Sequence, residues 1–510
     1  MKGSSARSAW LGLSCSLLVV GLVLATSGLV SWSLTGPPGE RYVVVLDAGS
    51  VHTSVYTYRS VPSSALSLMS FWCRYSFPEP GNVIVTETHD CELGQTGISS
   101  FQDNPREAAR FVSESACVRD SVERIPEDKR SLSRLELLST AGMRVLRLKS
   151  PAVAQQILGN LTLELGLVGD MEAEANILSG VEEAVAGWVS SVRLSGMEVG
   201  ALDWGGASAQ LTVPDSEGEL QVTVSGRQLR VKAASHLCYG QAESLKRHRA
   251  GLVLASYNRG EMDLTSPLTH TVTDPCLPSG SSLSNISLSH IFSSPCTRLA
   301  DSQLLLAITA SPGLVTFTSE QDYQQCSDLV MDQFRPELCN ATWQRLPGEV
   351  NCLDPATISP PANLTYLAMS TYWYLLHGLH LLEDFSMAKY LDKTGEVCSL
   401  NISSAEEQLN EVATTACFQS VLMYQLLTAG YHFNSTTWHQ IQPVKRINNT
   451  EVGWGLGHAM IEASSLPGDS FISLSVMIVL VTVGLLLLLL GLTVGLKVRE
   501  SSWRLCIEYN

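Results

Sequence analysis

The sequence has few basic residues, and nowhere are they gathered into a stripe. Lysine and arginine number 33 of 510 residues against 49 aspartates and glutamates, which gives a net charge of −16. Because nucleic-acid-binding proteins present clustered positive charge to the phosphate backbone, the composition argues against nucleic acid as a partner. An acidic surface also repels free polyphosphate, so an anionic substrate would need a divalent metal to neutralise part of its charge.

No pair of cysteines has the CxxC spacing that is typical of zinc sites. Of thirteen cysteines, Cys15 and Cys506 lie in or beside apolar ends of the chain, and the other eleven lie between them. We therefore predict disulfides, an oxidising compartment and one thiol left over, because eleven is odd. N-x-S/T sequons predict glycosylation across the same segment, at Asn160, Asn285, Asn340, Asn363, Asn401, Asn434 and Asn448.

Charge is absent from two long apolar runs, one near each end of the chain. Residues 9–32 and 471–496 are each long enough to cross a bilayer as a transmembrane helix. Basic residues flank the outer end of each run, and the positive-inside rule then puts residues 1–8 and 497–510 in the cytosol. The first run could instead be a cleaved signal peptide, although its length favours a retained anchor. Their Ser, Thr and Gly residues predict anchoring and association into a homo-oligomer rather than conduction.

Two segments repeat one pattern. VVVLDAGSVHTSVYTY (43–58) and VGALDWGGASAQLTV (199–213) each contain an apolar strand, an Asp, a small-residue turn with a hydroxyl, and a returning strand. A single Asp-Gly turn is common in ordinary hairpins, but two matched copies indicate two related lobes. Glycine turns expose N–H groups to anions, and the paired carboxylates Asp47 and Asp203 can hold a hydrated cation. The pattern predicts a nucleotide phosphate chain bound with Mg²⁺ or Ca²⁺ between the lobes.

Five blocks in order carry a resemblance to a known family: DAGSVHTS (47–54), STAGMR (139–144), SGVEEAVAGW (179–188), LDWGGASAQ (202–210) and VGWGLGHAM (452–460). In these blocks the chain resembles the ectonucleoside triphosphate diphosphohydrolases, or apyrases, of the cell-surface type with two membrane anchors. The resemblance implies an α/β, actin-like ectodomain of two RNase H-like lobes, with the active site in the cleft between them. It also implies extracellular hydrolysis of nucleoside tri- and diphosphates to monophosphates at the plasma membrane, which would terminate or reshape purinergic signalling.

The segment between the apolar runs, about 440 residues, is too long for one ordinary core. We expect lobe one at residues 33–165, completed by a return segment at 430–466, and lobe two at 166–429.

The resemblance assigns roles to individual residues. Phosphoanhydride hydrolysis needs an aligned water, a base for it and charge neutralisation on the phosphoryl oxygens. Glu183 matches the family's catalytic base, although the pair Glu182–Glu183 alone would be interpreted as an exposed helix face. Asp47 and Asp203 match the residues that hold the metal, Ca²⁺ or Mg²⁺, through its waters. The phosphates would be cradled by Gly49, Ser50, His52, Gly205, Gly206, Ala207 and Ser208.

Further roles rest on single positions in or near the blocks. Thr140 would contact a metal water and Arg144 would support the cleft, although Thr140 could simply cap a helix. Gln210 would position the attacking water, and Trp454 would wall the cleft. Tyr374 would stack against the base.

The sequence also departs from the family pattern. Ala184 stands where glycine usually follows the base, and Val192 and Arg193 replace a usual N-Y pair in a shortened segment between Trp188 and Asp203. Ala416 stands where a second stacking aromatic is expected, and Gln241 where an arginine usually follows C-Y-G. Stacking on one side only would lose about 1 to 3 kcal/mol, so we expect poor base selectivity.

The resemblance implies disulfide pairs and leaves two other functions open. The pairs are Cys91–Cys117, Cys238–Cys296, Cys276–Cys326, Cys339–Cys352 and Cys398–Cys417, which leaves Cys73 free or in an intermolecular bridge. A catalytically weak nucleotide-binding or adhesion ectodomain is one alternative to the enzyme. An intracellular sugar kinase or chaperone of the actin-like superfamily is another, and the sequons and apolar runs argue against it.

Overall fold

The computed structural model describes most of the chain between the two apolar runs and part of each run. The described residues are 13–24, 26, 40–62, 83–94, 96–224, 227–263, 268–354, 360–361, 363–465, 479, 481–494 and 496–497. The chain divides into two compact units. One unit comprises Arg41–Arg59 and Val85–Glu462, and the other comprises Met1–Glu40, Ser60–Ile84 and Ala463–Asn510.

The strands are β1 Arg41–Ala48, β2 Thr53–Pro62, β3 Val83–Gly94, β4 Arg134–Ser139, β5 Glu172–Ile177, β6 Gly200–Trp204, β7 Ser208–Pro214, β8 Leu220–Val224, β9 Arg227–Leu237, β10 Thr269–Asp274, β11 Ser282–Ser287, β12 Leu314–Ser319, β13 Tyr366–Ser370, β14 Ile441–Pro443, β15 Arg446–Ile447 and β16 Thr450–Glu451. The helices are α1 Pro105–Ser113, α2 Ala116–Glu123, α3 Glu127–Arg130, α4 Ala141–Lys149, α5 Pro151–Leu165, α6 Gly180–Ser195, α7 Gln241–Asn258, α8 Leu288–Ile291, α9 Ser302–Thr309, α10 Tyr323–Met331, α11 Pro336–Thr342, α12 Thr371–Gly378, α13 Met387–Cys398, α14 Ile402–Leu409, α15 Ala416–Gln425 and α16 Trp454–Ser465.

Two large sheets share one topology. The first has the order β3-β2-β1-β4-β5, and the second has the order β14-β13-β6-β7-β9-β8. With β8 set aside, both sheets have their first strand in chain order at the centre, β1 or β6. The second and third strands lie on one side of it (β2 and β3, or β7 and β9), and the fourth and fifth on the other (β4 and β5, or β13 and β14). The second sheet has β8 as an additional edge strand beside β9. The β1–β4, β4–β5, β6–β13 and β13–β14 pairs are all parallel. The predicted actin-like α/β architecture is therefore observed as a duplicated sheet with helices packed against it.

Each sheet has an apolar core of its own. Val44, Val45 and Leu46 in the middle of β1 are fully buried because both faces of this central strand are covered. The core on the first sheet includes Val44, Leu46, Leu135 and Leu137, and the core on the second includes Leu202, Trp204, Tyr366 and Ala368. β5 pairs with β4, and β14 pairs with β13. β5 thus lies beyond the expected limit at 165 but belongs to the first sheet, and β14 lies beyond the expected limit at 430 but belongs to the second sheet. The lobe limits remain a prediction.

The structure contains the five disulfides that the resemblance implies. They join Cys91 to Cys117, Cys238 to Cys296, Cys276 to Cys326, Cys339 to Cys352 and Cys398 to Cys417. Cys73 lies outside the described residues. Six of the seven sequon asparagines are exposed, whereas Asn160 is partly buried within α5.

The second compact unit contains helical stretches at residues 13–24 and 481–494. Ser14 Oγ donates a hydrogen bond of 2.7 Å to the Gly491 carbonyl, and a Cβ atom at Gly21 would lie 2.7 Å from the Gly484 carbonyl oxygen. Close backbone contact of this kind is typical of helices packed through small residues. None of the helices formed by the described residues combines the length and apolar character needed to cross a membrane. The predicted spans, 9–32 and 471–496, lie partly outside those residues.

Candidate active site

One cavity of about 490 Å³ lies where the two hairpins end. Most of the residues that the sequence selects line it together, although they come from both sheets and from helices far apart in the chain. They are Asp47, Gly49, Ser50, His52, Thr140, Glu183, Asp203, Gly205, Gly206, Ala207, Ser208, Tyr374 and Trp454. Arg144 and Gln210 lie behind this lining rather than in it.

The turns of the two hairpins lie against each other. A Cβ atom added to Gly206 would lie 3.0 Å from Ser50 Cβ, which is closer than ordinary side chains approach. The second turn is closed by a 3.0 Å hydrogen bond from the Gly205 N–H to the Ser208 carbonyl. Glycine at position 206 therefore allows the two turns to meet, and residues of both turns line the same cavity.

The duplication extends to the strands beside the hairpins. Ala48 pairs in register with Ser139, and Trp204 pairs with Ser370. Each of these serines is followed by a threonine, Thr140 or Thr371, that lines the cavity. The sequence points to Thr140 through its block, but a lone Ser-Thr pair is too common to have identified Thr371. Only the matched registers reveal the correspondence.

Three carboxylates converge on the cavity and repel one another. Burial first, and then the charges of Glu183 and Asp203, raise the pKa of Asp47 well above its usual value, while a hydrogen bond from the Trp454 side chain opposes the rise. Burial and Glu183 raise the pKa of Asp203 to about 7, and hydrogen bonds from the Ser370 side chain and the Trp204 backbone oppose this rise. Such a site favours a cation that allows its carboxylates to ionise together. An all-oxygen donor set suits Mg²⁺ or Ca²⁺, so the residues fit the predicted metal.

Ser370 holds its part of this arrangement in a strained conformation. Its φ of 60° lies in the left-handed region, which a non-glycine residue seldom adopts, and its side chain bonds to Asp203. Such strain persists where the surrounding structure enforces it, often at functional sites. Sequence patterns give no signal for this residue.

Glu183 is held by a buried arginine. The capping box of α6, formed by Ser179 and Glu182, fixes the first turn of the helix just before Glu183. Glu183 is only 7% exposed, and its Oε2 accepts a 2.8 Å hydrogen bond from Arg144 Nη1. Arg144 is fully buried and also donates to Ser208 Oγ at 3.1 Å. The arginine thus links the candidate base to the second hairpin.

Gln210 contacts the same serine. Its Nε2 donates to Ser208 Oγ at 2.8 Å and to Ser235 Oγ at 3.3 Å, and the side chain is almost fully buried. Because Ser208 Oγ accepts from both Gln210 and Arg144, its own proton is left to donate to an anion in the cavity. Thr140 occupies the N-cap position of α4, but its side chain makes no capping hydrogen bond. The side chain lines the cavity instead.

The cavity is also lined by an exposed aromatic ring, Tyr374, that lies beside a lysine. Tyr374 is 49% exposed, and Lys445 Nζ lies 4.8 Å from its ring centroid and 5.4 Å from that of Trp373. Cations over aromatic rings are attracted by the ring quadrupole. Ala416, at the start of α15, is fully buried and also lines the cavity. Sequence analysis missed Trp373 and Lys445, because no motif marks either residue.

His52 and the departures from the family pattern have simple structural settings. Desolvation lowers the pKa of His52 below its usual value even though the residue keeps an exposed face; the charge of Glu92 opposes this shift and that of Lys445 adds to it. Ala184 lies inside α6, where no positive φ is needed. The shortened segment is a direct connection, in which Gly196 ends α6 with φ 67° and β6 begins at Gly200.

Known proteins match nearly the whole chain. A model of the GDA1/CD39 (nucleoside phosphatase) family matches residues 34–475. Ectonucleoside triphosphate diphosphohydrolase 3 of Mus musculus is 28% identical over 463 residues, covering 85% of this chain and 80% of that protein. Ectonucleoside triphosphate diphosphohydrolase 1 of Rattus norvegicus is 26% identical over 520 residues, covering 92% and 93%. The crystal structure of nucleoside triphosphate hydrolases from Neospora caninum has a similar fold, with a TM-score of 0.54, 14% identity, and coverage of 83% of this chain and 92% of that one.

Proposed function

Because the chain belongs to the GDA1/CD39 (nucleoside phosphatase) family, we propose that it hydrolyses extracellular nucleoside triphosphates and diphosphates to monophosphates. One observation carries the proposal: two glycine turns with matched aspartates meet at a single cavity that also holds Glu183. Its volume of about 490 Å³ lies within the range of small-molecule sites. The protein is then a hydrolase that acts on phosphoanhydrides.

Each group has a task in this reaction. Asp47 and Asp203 would hold the divalent cation, Ca²⁺ or Mg²⁺. When bound, the cation supplies positive charge that neutralises phosphate oxygens. Amides of the two turns and the Ser208 hydroxyl donate to the phosphate chain, which leaves the terminal phosphorus facing Glu183. Glu183 takes a proton from the water that attacks the terminal phosphorus, and the bridging anhydride oxygen leaves with the shortened nucleotide. Arg144 keeps the Glu183 carboxylate oriented.

The finer location and substrate choice belong to the same proposal. Residues 9–32 and 471–496 would anchor the protein in the plasma membrane, with both termini in the cytosol and the active site outside. The sequons and disulfides support an extracytoplasmic setting for the segment between them. The helical stretches near the two ends would also be the means of homo-oligomer formation.

The direct test uses detergent-solubilised full-length protein with ATP or ADP and Ca²⁺ or Mg²⁺, with and without a chelator. We expect metal-dependent phosphate release that Glu183→Gln lowers at least about 100-fold, because the base is lost while nucleotide binding remains. Glu182→Gln is the matched control: a glutamine can still accept the Ser179 N–H in the capping box, so most of the activity should remain. If nucleotide binds but no phosphate is released with any metal, the alternative function, a nucleotide-binding or adhesion ectodomain, replaces the enzyme.

A further inference from the structure

The cavity contains a pair of glutamines that the hydrolytic chemistry does not use. Gln419 Nε2 donates a 2.7 Å hydrogen bond to Gln241 Oε1, and both residues line the cavity. Gln419 is buried, with 7% of its surface exposed, and lies on α15 one turn after Ala416. The Gln241 backbone N–H donates to the Gly205 carbonyl at 3.0 Å. The amide pair therefore connects the turn at Gly205 to α15, whose first residue, Ala416, also lines the cavity.

Each amide of the pair keeps hydrogen-bonding capacity. Gln241 Nε2 and Gln419 Oε1 have no hydrogen-bond partner among the residues that the structure describes. Two primary amides that share one hydrogen bond always leave one free NH₂ donor and one free carbonyl acceptor. If both amides were flipped, the two atoms would exchange places but the pattern would stay the same. Both residues line the cavity, so its wall carries one amide donor and one amide acceptor that are not paired with each other.

A nucleobase edge matches this pattern. Adenine offers an N6 donor beside the N7 acceptor, and every other base also has an edge with an adjacent donor and acceptor. Ala416 leaves space on this side, while Tyr374 offers a ring for the opposite face. Resting on the proposed function, we propose that Gln241 and Gln419 determine how the nucleobase is recognised: the pair hydrogen-bonds the base edge, so that base contact depends on hydrogen bonds as well as on the single stacking ring.

The proposal predicts broad acceptance of bases together with discrimination against substrates that lack one. Removal of Gln419 by Gln419→Leu should raise KM for ATP and UTP about 3- to 10-fold, because a neutral hydrogen bond is lost. KM for ribose 5′-triphosphate, which has the same sugar and phosphates but no base, should stay unchanged. Gln241→Met removes the partner amide at a less buried position, so it tests the same point if Gln419→Leu folds poorly.

A matched control lies on the same helix. Gln425 is buried in α15 and donates to Ser327 Oγ at 3.2 Å, outside the cavity. Gln425→Leu makes the same chemical change and should leave the ratio of KM for ATP to KM for ribose 5′-triphosphate at its wild-type value. If Gln419→Leu and Gln241→Met also leave that ratio unchanged, the pair is structural only and the inference is overturned. Absence of metal-dependent hydrolysis of both substrates by the wild-type protein would instead overturn the proposed function.

A further substitution, Gln241→Arg, tests whether the side chain at this position contacts the base. Gln241→Arg replaces one amide of the pair by a group that only donates hydrogen bonds, and an arginine fits the N7 and O6 acceptors of guanine. We expect the ratio of kcat/KM for GTP to that for ATP to rise about 3- to 10-fold, as for one added hydrogen bond. A ratio that stays at the wild-type value would mean that this side chain does not contact the base.

Discussion

At the scale of single residues, buried charge decides how the site works. Arg144 is fully buried, and its guanidinium donates hydrogen bonds to Glu183, Ser208 and the Leu178 carbonyl. Its Nε also lies 3.6 Å from Glu349 Oε1. A buried cation is tolerated only where anions and acceptors surround it, so the guanidinium and the Glu183 carboxylate depend on each other. Its fork reaches two functional groups at once, which a point charge on a flexible chain does not do.

Arg144→Lys should therefore distinguish the effect of the positive charge at position 144 on activity from the effect of the planar guanidinium geometry. Lysine keeps the positive charge but cannot contact both Glu183 Oε2 and Ser208 Oγ from one rigid plane. We expect kcat for ATP to fall about 10- to 100-fold while KM changes little, since misplacement of the base affects the transition state more than binding. Steady-state kinetics with a melting curve for each protein check this. A variant with unchanged kcat would show that Arg144 is not needed for orientation.

Glu87, a glutamate outside the active site, gives a prediction for how the stability of the protein depends on pH. Its buried Oε2 has no hydrogen-bond partner among the residues that the structure describes, and Arg446 Nη1 is 3.9 Å from Oε1. Burial, followed by the charge of Asp90, raises its pKa to about 7, and Arg446 opposes the rise. The pKa of Glu87 in the folded state exceeds its value of about 4.3 in the unfolded chain. The protonated acid therefore contributes its whole stabilisation below a pH of about 4.3. This stability is lost as pH rises through about 7.

The variant Glu87→Gln stays neutral at every pH. Its melting temperature should exceed that of the wild type at pH 8, and the difference should shrink towards pH 5. The exposed strand residue Glu174 provides the control, because Glu174→Gln removes a charge that water already solvates. A Glu87→Gln difference that does not depend on pH would contradict the assignment.

At the scale of elements, the start of α6 determines where the candidate base lies. The helix begins with a complete capping box, in which Ser179 Oγ accepts from the Glu182 N–H at 3.2 Å and the Glu182 side chain accepts from the Ser179 N–H at 2.8 Å. Glu183 follows directly, in the first helical turn. The cap therefore affects both the stability of the helix and the position of the reactive carboxylate.

Ser179→Ala should reduce both the stability of the protein and its kcat. Loss of an N-cap costs about 1 kcal/mol of stability, and fraying of the first turn would displace Glu183. We expect kcat to fall about 10-fold. Ser115 caps α2 through the Val118 N–H at 3.1 Å, away from the cavity, so Ser115→Ala is a matched control with a similar loss of stability and normal kcat. Equal kcat values for the two variants would mean that the cap does not position the base.

The helices, strands and loops also differ in how well the sequence alone predicts them. Hairpin turns with Asp and Gly have a local signature, so β1–β2 and β6–β7 could be predicted from the chain alone. Ser370 and Lys445 could not, because their roles arise from strand register and from a loop that returns to the cavity late in the chain. The pairing of β5 with β4 likewise depends on contacts distant in sequence. Local signals identify turns, whereas tertiary contacts complete the site.

At the scale of the whole molecule, the duplicated sheets bring matched acids to one cavity and so create repulsion. Asp47, Asp203 and Glu183 raise one another's energy when ionised, as the raised pKa values of the two aspartates indicate. Natural proteins tolerate such destabilised sites where the function requires them. In this protein a divalent cation would relieve the repulsion, so metal binding and folding stability should be coupled.

Asp203→Asn tests this coupling in the full-length protein at pH 8, above the pKa of about 7 for Asp203. Because the raised pKa means that stability is lost as pH rises through that value, the neutral amide should melt at a higher temperature than the metal-free wild type. Addition of Ca²⁺ should stabilise the wild type, by about 2.7 kcal/mol at 100 times its Kd, and the variant much less. The variant should also lose hydrolysis, so that greater stability without metal accompanies lower activity. An Asp203→Asn protein that melts below the metal-free wild type, or that keeps the full Ca²⁺ shift, would contradict a metal site held between the two aspartates.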